Sequence, residues 1–395
     1  MSKRGSELTR RDFLKKAGMM TAGTALVGLG PGIIGARKAY AQVPTINFAY
    51  ILSDHHAPLM VLCKEWELFH ERYKIYLKPV TDYKLYDLFY EGAKMARVKL
   101  IPTKHGPDLE KLVAQGSVDM AISGTQAIIM SIDNGVETKI ISPLQTAGNV
   151  FVLKKDLPMN NWSEFVKEIK GTKRHFKIGM PGPGTVATII FRSALDYEGV
   201  SYTEDVANKE ADILFINMKG HGALVSALEN RITEGIIGAQ PFPSVTINRG
   251  LGKLILNLQD VPPNKRWYGH ACCSMEATEK FMKRDRDLLV RMMELMILGV
   301  DVANRDKGTT ARVCSSWLGV EEAVEKVAIP TLTYTTTPTS QWRESVYTYV
   351  KIMDGMNMVS RKLHGKKGKE LGPLLFDFQY TEEAEKALIQ KKFLS

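Results

Sequence analysis

From Thr45 onward the chain alternates short runs of β-forming residues with stretches whose apolar residues recur at helical spacing. Parallel strands cannot be joined by a tight turn and need a crossover, usually a helix, so repeated alternation restricts the chain to α/β layers around mostly parallel sheets. Ile46–Leu52 predicts a first strand and His56–Glu71 a helix, with Leu59, Met60, Cys63, Trp66 and Phe69 on its apolar side. Strands are expected at Tyr73–Val80, Val118–Ser123, Thr138–Ile141, Val150–Leu153, Phe176–Met180, Ile213–Asn217, Gly235–Gly238 and Leu254–Leu256. Helices are expected at Pro107–Gln115, Thr125–Asn134, Trp162–Ile169, Thr185–Tyr197 and Gly222–Asn230. Beyond Glu276 the pattern is mainly helical, Phe281–Asn304 being the longest stretch.

A chain of 395 residues is long enough for two domains with cores of their own. No internal repeat and no Ser/Gly-rich linker divides it. The chain is therefore expected to cross between two lobes as ordered segments, near Ala147–Phe151 and again near Arg266–Ser274, leaving a cleft suited to a small ligand. The expected division is residues 42–148 with 270–395 in one lobe and 149–269 in the other.

The formal charge of +10 raises nucleic acid or an anionic membrane as a partner until its location is read. Eight basic residues and two acidic ones fall within residues 1–41, which leaves only +4 on the remainder. That segment runs from a basic stretch through the uncharged Ala17–Ala36 to Ala39-Tyr40-Ala41, the layout of an export signal with a small-x-small cleavage site. Arg10-Arg11 followed by Asp12-Phe13-Leu14-Lys15 resembles the twin-arginine (Tat) export signal. The alternative is a retained anchor, which the several glycines and Pro31 of the apolar stretch disfavour. The resemblance implies passage through the Tat translocase, cleavage after Ala41 and a periplasmic product. No nucleic-acid partner is expected, since Lys366-Lys367-Gly368-Lys369 has neither aromatic interleaving nor a folded motif behind it.

Four blocks, in order, resemble the periplasmic solute-binding proteins of the sulfonate/nitrate/taurine type, whose relatives include binders of thiamine pyrimidine precursors. They are Phe48–Leu59 running into a helix, Leu112–Ala121 with its Gly116-Ser117-Val118-Asp119 turn, Gly179–Thr185 before a helix, and Gly235–Pro241. Gln240 departs from the acidic residue that members often carry before that proline, and Tyr83–His105 is an added stretch. The resemblance implies a two-lobed α/β binding-protein fold of type II, with two crossing segments, closing by a hinge on a small solute. It also implies delivery of that solute to an inner-membrane ABC permease, with no catalysis and no cofactor or metal. A monomer is expected.

The candidate ligand contacts are helix starts. The first turn of a helix has unpaired N–H groups and a partial positive charge, which suits an anion. Ser53–His56, Gly124-Thr125 and Gly184-Thr185 supply such starts after strands, although plain helix capping is the bland account of the same residues. Gly179–Gly184 lacks the Gly-Lys-Ser/Thr ending of a nucleotide-binding loop, so ATP hydrolysis is not expected. Of the adjacent His55 and His56, one is expected to face the cleft as a hydrogen-bond donor; a structural role or metal ligation are the alternatives, and no H-x-x-x-H spacing favours the last. His270 is a second histidine candidate, and Gln240 the expected contact from the other lobe. Trp267 and Tyr268 either stack on a ligand or pack between lobes. Cys272-Cys273 and Cys314 read as buried thiols, with a bridge to Cys314 as the alternative.

Two other classes of function compete with solute transport: a Tat-exported enzyme holding a cofactor or metal on the same fold, and a sensor that presents ligand to a receptor.

Overall fold

The computed structural model describes residues 43–172 and 174–394. The twin-arginine segment, with Arg10, Arg11 and the expected cleavage after Ala41, lies outside them. No helix among the described residues is long and apolar enough to cross a membrane.

The strands in chain order are β1 (Thr45–Ile51), β2 (Ile75–Thr81), β3 (Leu85–Tyr90), β4 (Ala93–Thr103), β5 (Met120–Gly124), β6 (Thr138–Ala147), β7 (Asn149–Lys154), β8 (Phe176–Met180), β9 (Tyr202–Thr203), β10 (Ile213–Asn217), β11 (Gly235–Ala239), β12 (Gly252–Asn257), β13 (Ala271–Thr278) and β14 (Leu332–Tyr334). They form an eight-stranded sheet ordered β14-β6-β13-β5-β1-β4-β3-β2 and a six-stranded sheet ordered β12-β7-β11-β8-β10-β9. In the larger sheet β1 pairs parallel with both β4 and β5, whereas β13 runs antiparallel between β5 and β6. In the smaller, β8 pairs parallel with β10 and β11, and β7 lies antiparallel between β11 and the edge strand β12. This is a two-sheet α/β fold.

The chain leaves the larger sheet at the end of β6 and enters the smaller at the start of β7 with only Gly148 between them, and it returns through the segment before β13. The Gly148 backbone is left-handed (φ +73°), and an added Cβ would lie 2.8 Å from the His55 imidazole and 2.9 Å from Leu332. The first crossing therefore requires glycine for both its conformation and its close approach.

Burial explains most element choices. β7 and β8 are buried along nearly their whole length, with Phe151, Phe165, Phe176 and Phe191 packed edge-to-face at 4.8–5.6 Å behind the smaller sheet. The helix Arg286–Arg305 buries Met292, Met293 and Met296, so core filling is the role of these methionines. Its Gly299 lies where a Cβ would meet Leu62 at 2.8 Å, which lets this helix press against Ala57–Lys64.

Three expectations change. The single helix over His56–Glu71 is two helices, Ala57–Lys64 and Trp66–Tyr73. The first is wholly apolar and buried up to Cys63, whereas Trp66 turns away to pack against Tyr76 at 5.9 Å, so the two halves face different surroundings. The stretch Phe281–Asn304 breaks at Asp285 into Glu279–Arg284 and Arg286–Arg305. The added stretch Tyr83–His105 forms β3 and β4, in which Tyr86 and Leu88 face the core and Asp87 pairs with Lys94 at 2.7 Å and Arg97 at 3.1 Å. Its second strand inserts beside β1.

Candidate functional site

The carboxyl ends of parallel strands are where α/β sheets expose helix starts to a ligand. Here the ends of β1, β5, β8 and β11 meet around a small cavity of about 30 Å³ lined by Ser53, His55, His56, Gly124, Thr185 and His221, among others. Asn149, Gln126, Cys272 and Cys273 also reach it. That volume accommodates one or two water-sized groups. Beside it, sharing His221, lies a larger recess of about 490 Å³ lined by Leu52, Met218, Phe242, Trp317 and Leu318. A shallow groove of about 740 Å³ lies at the amino ends of the strands instead, around Asn47, Glu137 and the Asp119–Arg284 ion pair.

The helices beginning at Ala57, Thr125 and Val186 have no side-chain cap. Elsewhere Asn161, Thr278, Asp306 and Thr339 each accept from a first-turn N–H, while other helices, such as Arg286–Arg305 and Gln379–Gln390, are uncapped as well. The Thr185 hydroxyl donates instead to the Gly182 carbonyl at 2.9 Å. Two of these starts, at Thr125 and Val186, thus border the cavity with uncapped first turns, whereas at Ala57 the His56 and Ala57 N–H groups are taken by the Ser53 and Asp54 carbonyls and Pro58 has no N–H to offer.

The histidines are set by backbone partners. The Ile51 N–H donates to His56 Nδ1 at 2.9 Å, so His56 carries its proton on Nε2, which is buried without a partner. The Ala239 N–H likewise donates to His221 Nδ1 at 3.2 Å, leaving Nε2–H as its free donor. Burial, reinforced by the neighbouring His55, holds His56 well below the usual imidazole range. Burial, then His55 and His105, lowers His221 to about 3. Both are neutral near pH 7 and donate without adding charge. His55 Nε2 donates to the Gly148 carbonyl at 3.0 Å, which turns its Nδ1 toward Cys272 Sγ at 3.4 Å and Cys273 Sγ at 3.6 Å.

The two cysteines are neighbours on a strand, where successive side chains normally point to opposite faces. The register of β13 against β6 shifts between Ala271 and Cys273 and again between Cys273 and Ser274, and this irregularity lets both thiols approach His55. Asn149 Nδ2 donates to Cys272 Sγ at 3.0 Å. Burial pushes both thiols up, but the Cys273 thiol and the His55 and His270 imidazoles hold Cys272 well below its ordinary value; Cys273 is pushed well above. All four cysteines are buried and unbridged.

Of the residues singled out from the sequence, Ser53, His55, His56, Gly124 and Thr185 line the cavity, so both adjacent histidines face it. Thr125, Gly184, Gln240 and His270 do not line it. The Thr125 hydroxyl bonds Ser274 Oγ at 2.7 Å, and the Gly184 carbonyl accepts from Gln126 Nε2 at 2.9 Å. Gln240 Oε1 accepts from the Ser244 N–H at 3.3 Å, and the Gln240 carbonyl accepts from the Asp54 N–H at 3.2 Å. His270 donates from Nδ1 to the Trp267 carbonyl at 2.7 Å, and its Nε2 is buried without a partner. Trp267 is buried against Tyr349 at 5.1 Å and Tyr268 is exposed, so neither is a stacking platform in the cavity. Asn149, Gln126, His221, Cys272 and Cys273 were not anticipated as cavity residues; Gly-adjacent placement after β6 for Asn149 is the only sequence signal any of the five carries.

The architecture is that of the periplasmic binding proteins. The Synechocystis PCC 6803 periplasmic nitrate-binding protein NrtA superposes with a TM-score of 0.68 at 15% identity, covering 88% of this chain and 89% of that one. A ligand-binding component of an ABC-type import system from Staphylococcus aureus, solved with zinc bound, gives 0.65 at 15% identity over 86% and 99% of the two chains. The alkanesulfonate-binding protein SsuA of Xanthomonas axonopodis pv. citri, bound to MOPS, gives 0.62 at 12% identity over 85% and 99%. The chain belongs to the NMT1-like family, whose model matches residues 39–318. In sequence it is also similar to the uncharacterized protein MJ1180 of Methanocaldococcus jannaschii, 40% identical over 107 residues that make up 27% of this chain and 74% of that protein.

Proposed function

We propose that this chain is the exported solute-binding component of an ATP-driven importer, and that it captures a small anionic or polar solute in the cavity between its two sheets. The observation that carries the reading is the convergence of two uncapped helix starts, at Thr125 and Val186, with the Nε2–H groups of neutral His56 and His221. Such a set offers hydrogen bonds and partial positive charge without a fixed counter-ion, which suits a compact oxyanion. Nitrate- and alkanesulfonate-binding relatives of the same fold support that class of solute. The wider recess beside His221 gives a solute with an apolar tail somewhere to extend, against Phe242 and Trp317.

In this reading residues 42–148 with 270–395 form one lobe and residues 149–269 the other, and the solute bridges them. Residues 1–41 direct export by the twin-arginine route and are removed after Ala41. The periplasmic monomer hands its solute to an inner-membrane permease and performs no chemistry on it.

Calorimetric titration of the chain from Gln42 with nitrate, methanesulfonate, taurine and longer alkanesulfonates tests this. One solute is expected to bind at one per chain, and Asn149→Ala and His221→Ala are expected to weaken it by tenfold or more while melting temperatures stay close to wild type. Binding that ignores both substitutions, or a blank across the panel, overturns the assignment.

A further inference from the structure

We propose that His55, Cys272 and Cys273 form a binding site for a single thiophilic d10 cation, zinc(II) or copper(I), within the same cavity. The inference deepens the solute-binding reading and rests on it for the place of the site, but not for the identity of the ligand atoms.

The three donor atoms lie within 4.8 Å of one another and all three residues are buried. In a tetrahedral site with metal–sulfur bonds of about 2.3 Å and metal–nitrogen bonds of about 2.05 Å, sulfur and nitrogen are separated by roughly 3.5 Å. His55 Nδ1 is 3.4 Å from Cys272 Sγ and 3.6 Å from Cys273 Sγ. Both nitrogen–sulfur edges already have the lengths of such a site.

The tautomer matches as well. A carbonyl oxygen can only accept, so the 3.0 Å contact to Gly148 places the His55 proton on Nε2 and leaves the Nδ1 lone pair facing the sulfurs. A metal-ligating histidine is ordinarily held by this arrangement, one nitrogen donating to a backbone carbonyl while the other ligates. Gly148 permits the approach because any Cβ there would collide with the ring. A second, independent observation is His270, whose Nδ1 is committed to the Trp267 carbonyl while its wholly buried Nε2 lone pair has no partner. It stands two residues before Cys272, at the entry to β13.

Two sulfurs with one imidazole select soft cations over magnesium or calcium. When the ion binds, both sulfurs coordinate as thiolates, and the proton each thiol holds is released to solvent. Three protein ligands leave a fourth position, bounded by Asn149, Thr185 and His221, where a water or a solute oxyanion completes the shell.

The test uses the full chain, reduced and stripped with chelator. Cobalt(II) is added under anaerobic conditions, and its sulfur-to-metal charge-transfer and four-coordinate visible bands are followed. Zinc(II) is then titrated against a chromophoric competitor, and copper(I) against a copper(I)-specific chelator. One equivalent with thiolate charge-transfer is expected, and Cys272→Ser, Cys273→Ser and His55→Ala should each lower affinity for the favoured ion by at least about 10-fold. Melting curves of the metal-free variants establish that each is folded; Cys273→Ser, which changes one atom, carries the test if His55→Ala does not fold. Failure of all three ions to bind at one per chain, or binding indifferent to the cysteine substitutions, overturns the proposal. A thermal-shift response of the metal-free chain to nitrate or methanesulfonate, with no metal uptake, would overturn the ion site while leaving the solute reading intact. Metal uptake with no response to any anion in either state would do the reverse.

Discussion

The His55 imidazole and the Gly148 carbonyl meet at 3.0 Å, tying the first helix start of the larger sheet to the residue where the chain passes into the smaller one. The contact joins site and crossing, because the same carbonyl sets which His55 nitrogen faces the cavity.

Gly148→Ala is the most direct perturbation of that contact. A non-glycine residue in the left-handed region costs roughly 1–2 kcal/mol, and the clash with His55 and Leu332 adds to it. Urea unfolding should therefore show a loss of at least about 1 kcal/mol, together with weakened solute binding as His55 is displaced. A variant as stable as wild type would mean that the crossing relaxes at no cost.

A buried carboxyl pair makes stability depend on pH. Asp54 and Glu325 are both fully buried, and none of their carboxyl oxygens has a hydrogen-bond partner. Burial, then the Glu325 charge, pushes Asp54 well above its ordinary value, and burial pushes Glu325 up to about 7 from 4.5. A carboxyl raised in the folded state binds more protons folded than unfolded. Its contribution is complete below about 4.5 and is lost as pH rises through about 7. Cys314 and Tyr334 also face this pair but are pushed well above their ordinary ranges by burial, so they stay neutral through the window. Glu325→Gln should gain melting temperature relative to wild type as pH goes from 5 to 8. A constant difference across that range would contradict a Glu325 value raised to about 7.

His56 and His221 act in the opposite sense. Their folded values are depressed, so their contribution is present above the unfolded value of 6.5 and falls away as pH drops toward about 3 for His221. Between these limits the carboxyl pair and the histidines oppose each other. Replacing His221 by Gln should make the acid limb shallower, as thermal melts between pH 4 and 7 would report.

Much of this fold was legible because buried parallel strands leave dense apolar runs. Phe176–Met180 and Ile213–Asn217 have the predicted limits. The hairpin of β3 and β4 escaped although it alternates, Tyr86, Leu88, Ala96 and Val98 facing inward while Asp87 and Arg97 face outward and pair at 3.1 Å. At the site, helix starts announced Ser53, His55, Gly124 and Thr185, since a strand followed by a small or hydroxyl residue has a recognisable pattern. Thr125 lay one position too far along: its hydroxyl turns into the interior toward Ser274. The cysteines were hidden by the rule that adjacent strand residues face opposite ways, which the irregular register of β13 sets aside. Asn149, Gln126 and His221 are single polar residues whose convergence depends on tertiary structure alone.

Gln126 leads to the last expectation. Its Nε2 donates to the Gly184 carbonyl at 2.9 Å, reaching from a helix behind the larger sheet to the loop after β8, while its Oε1 is buried with no partner. The bond holds the cavity shut from one side, and the idle oxygen is free to accept from a solute's ammonium or hydroxyl group. Gln126→Ala removes both. A buried neutral hydrogen bond contributes about 1 kcal/mol, or roughly fivefold in affinity, because each 1.4 kcal/mol is a factor of ten. The loss should appear mainly as faster dissociation, since a closed cleft governs escape more than encounter. Stopped-flow measurement of the identified solute would separate the two rates. A change confined to association would mean that the Gln126–Gly184 bond does not restrain the closed form.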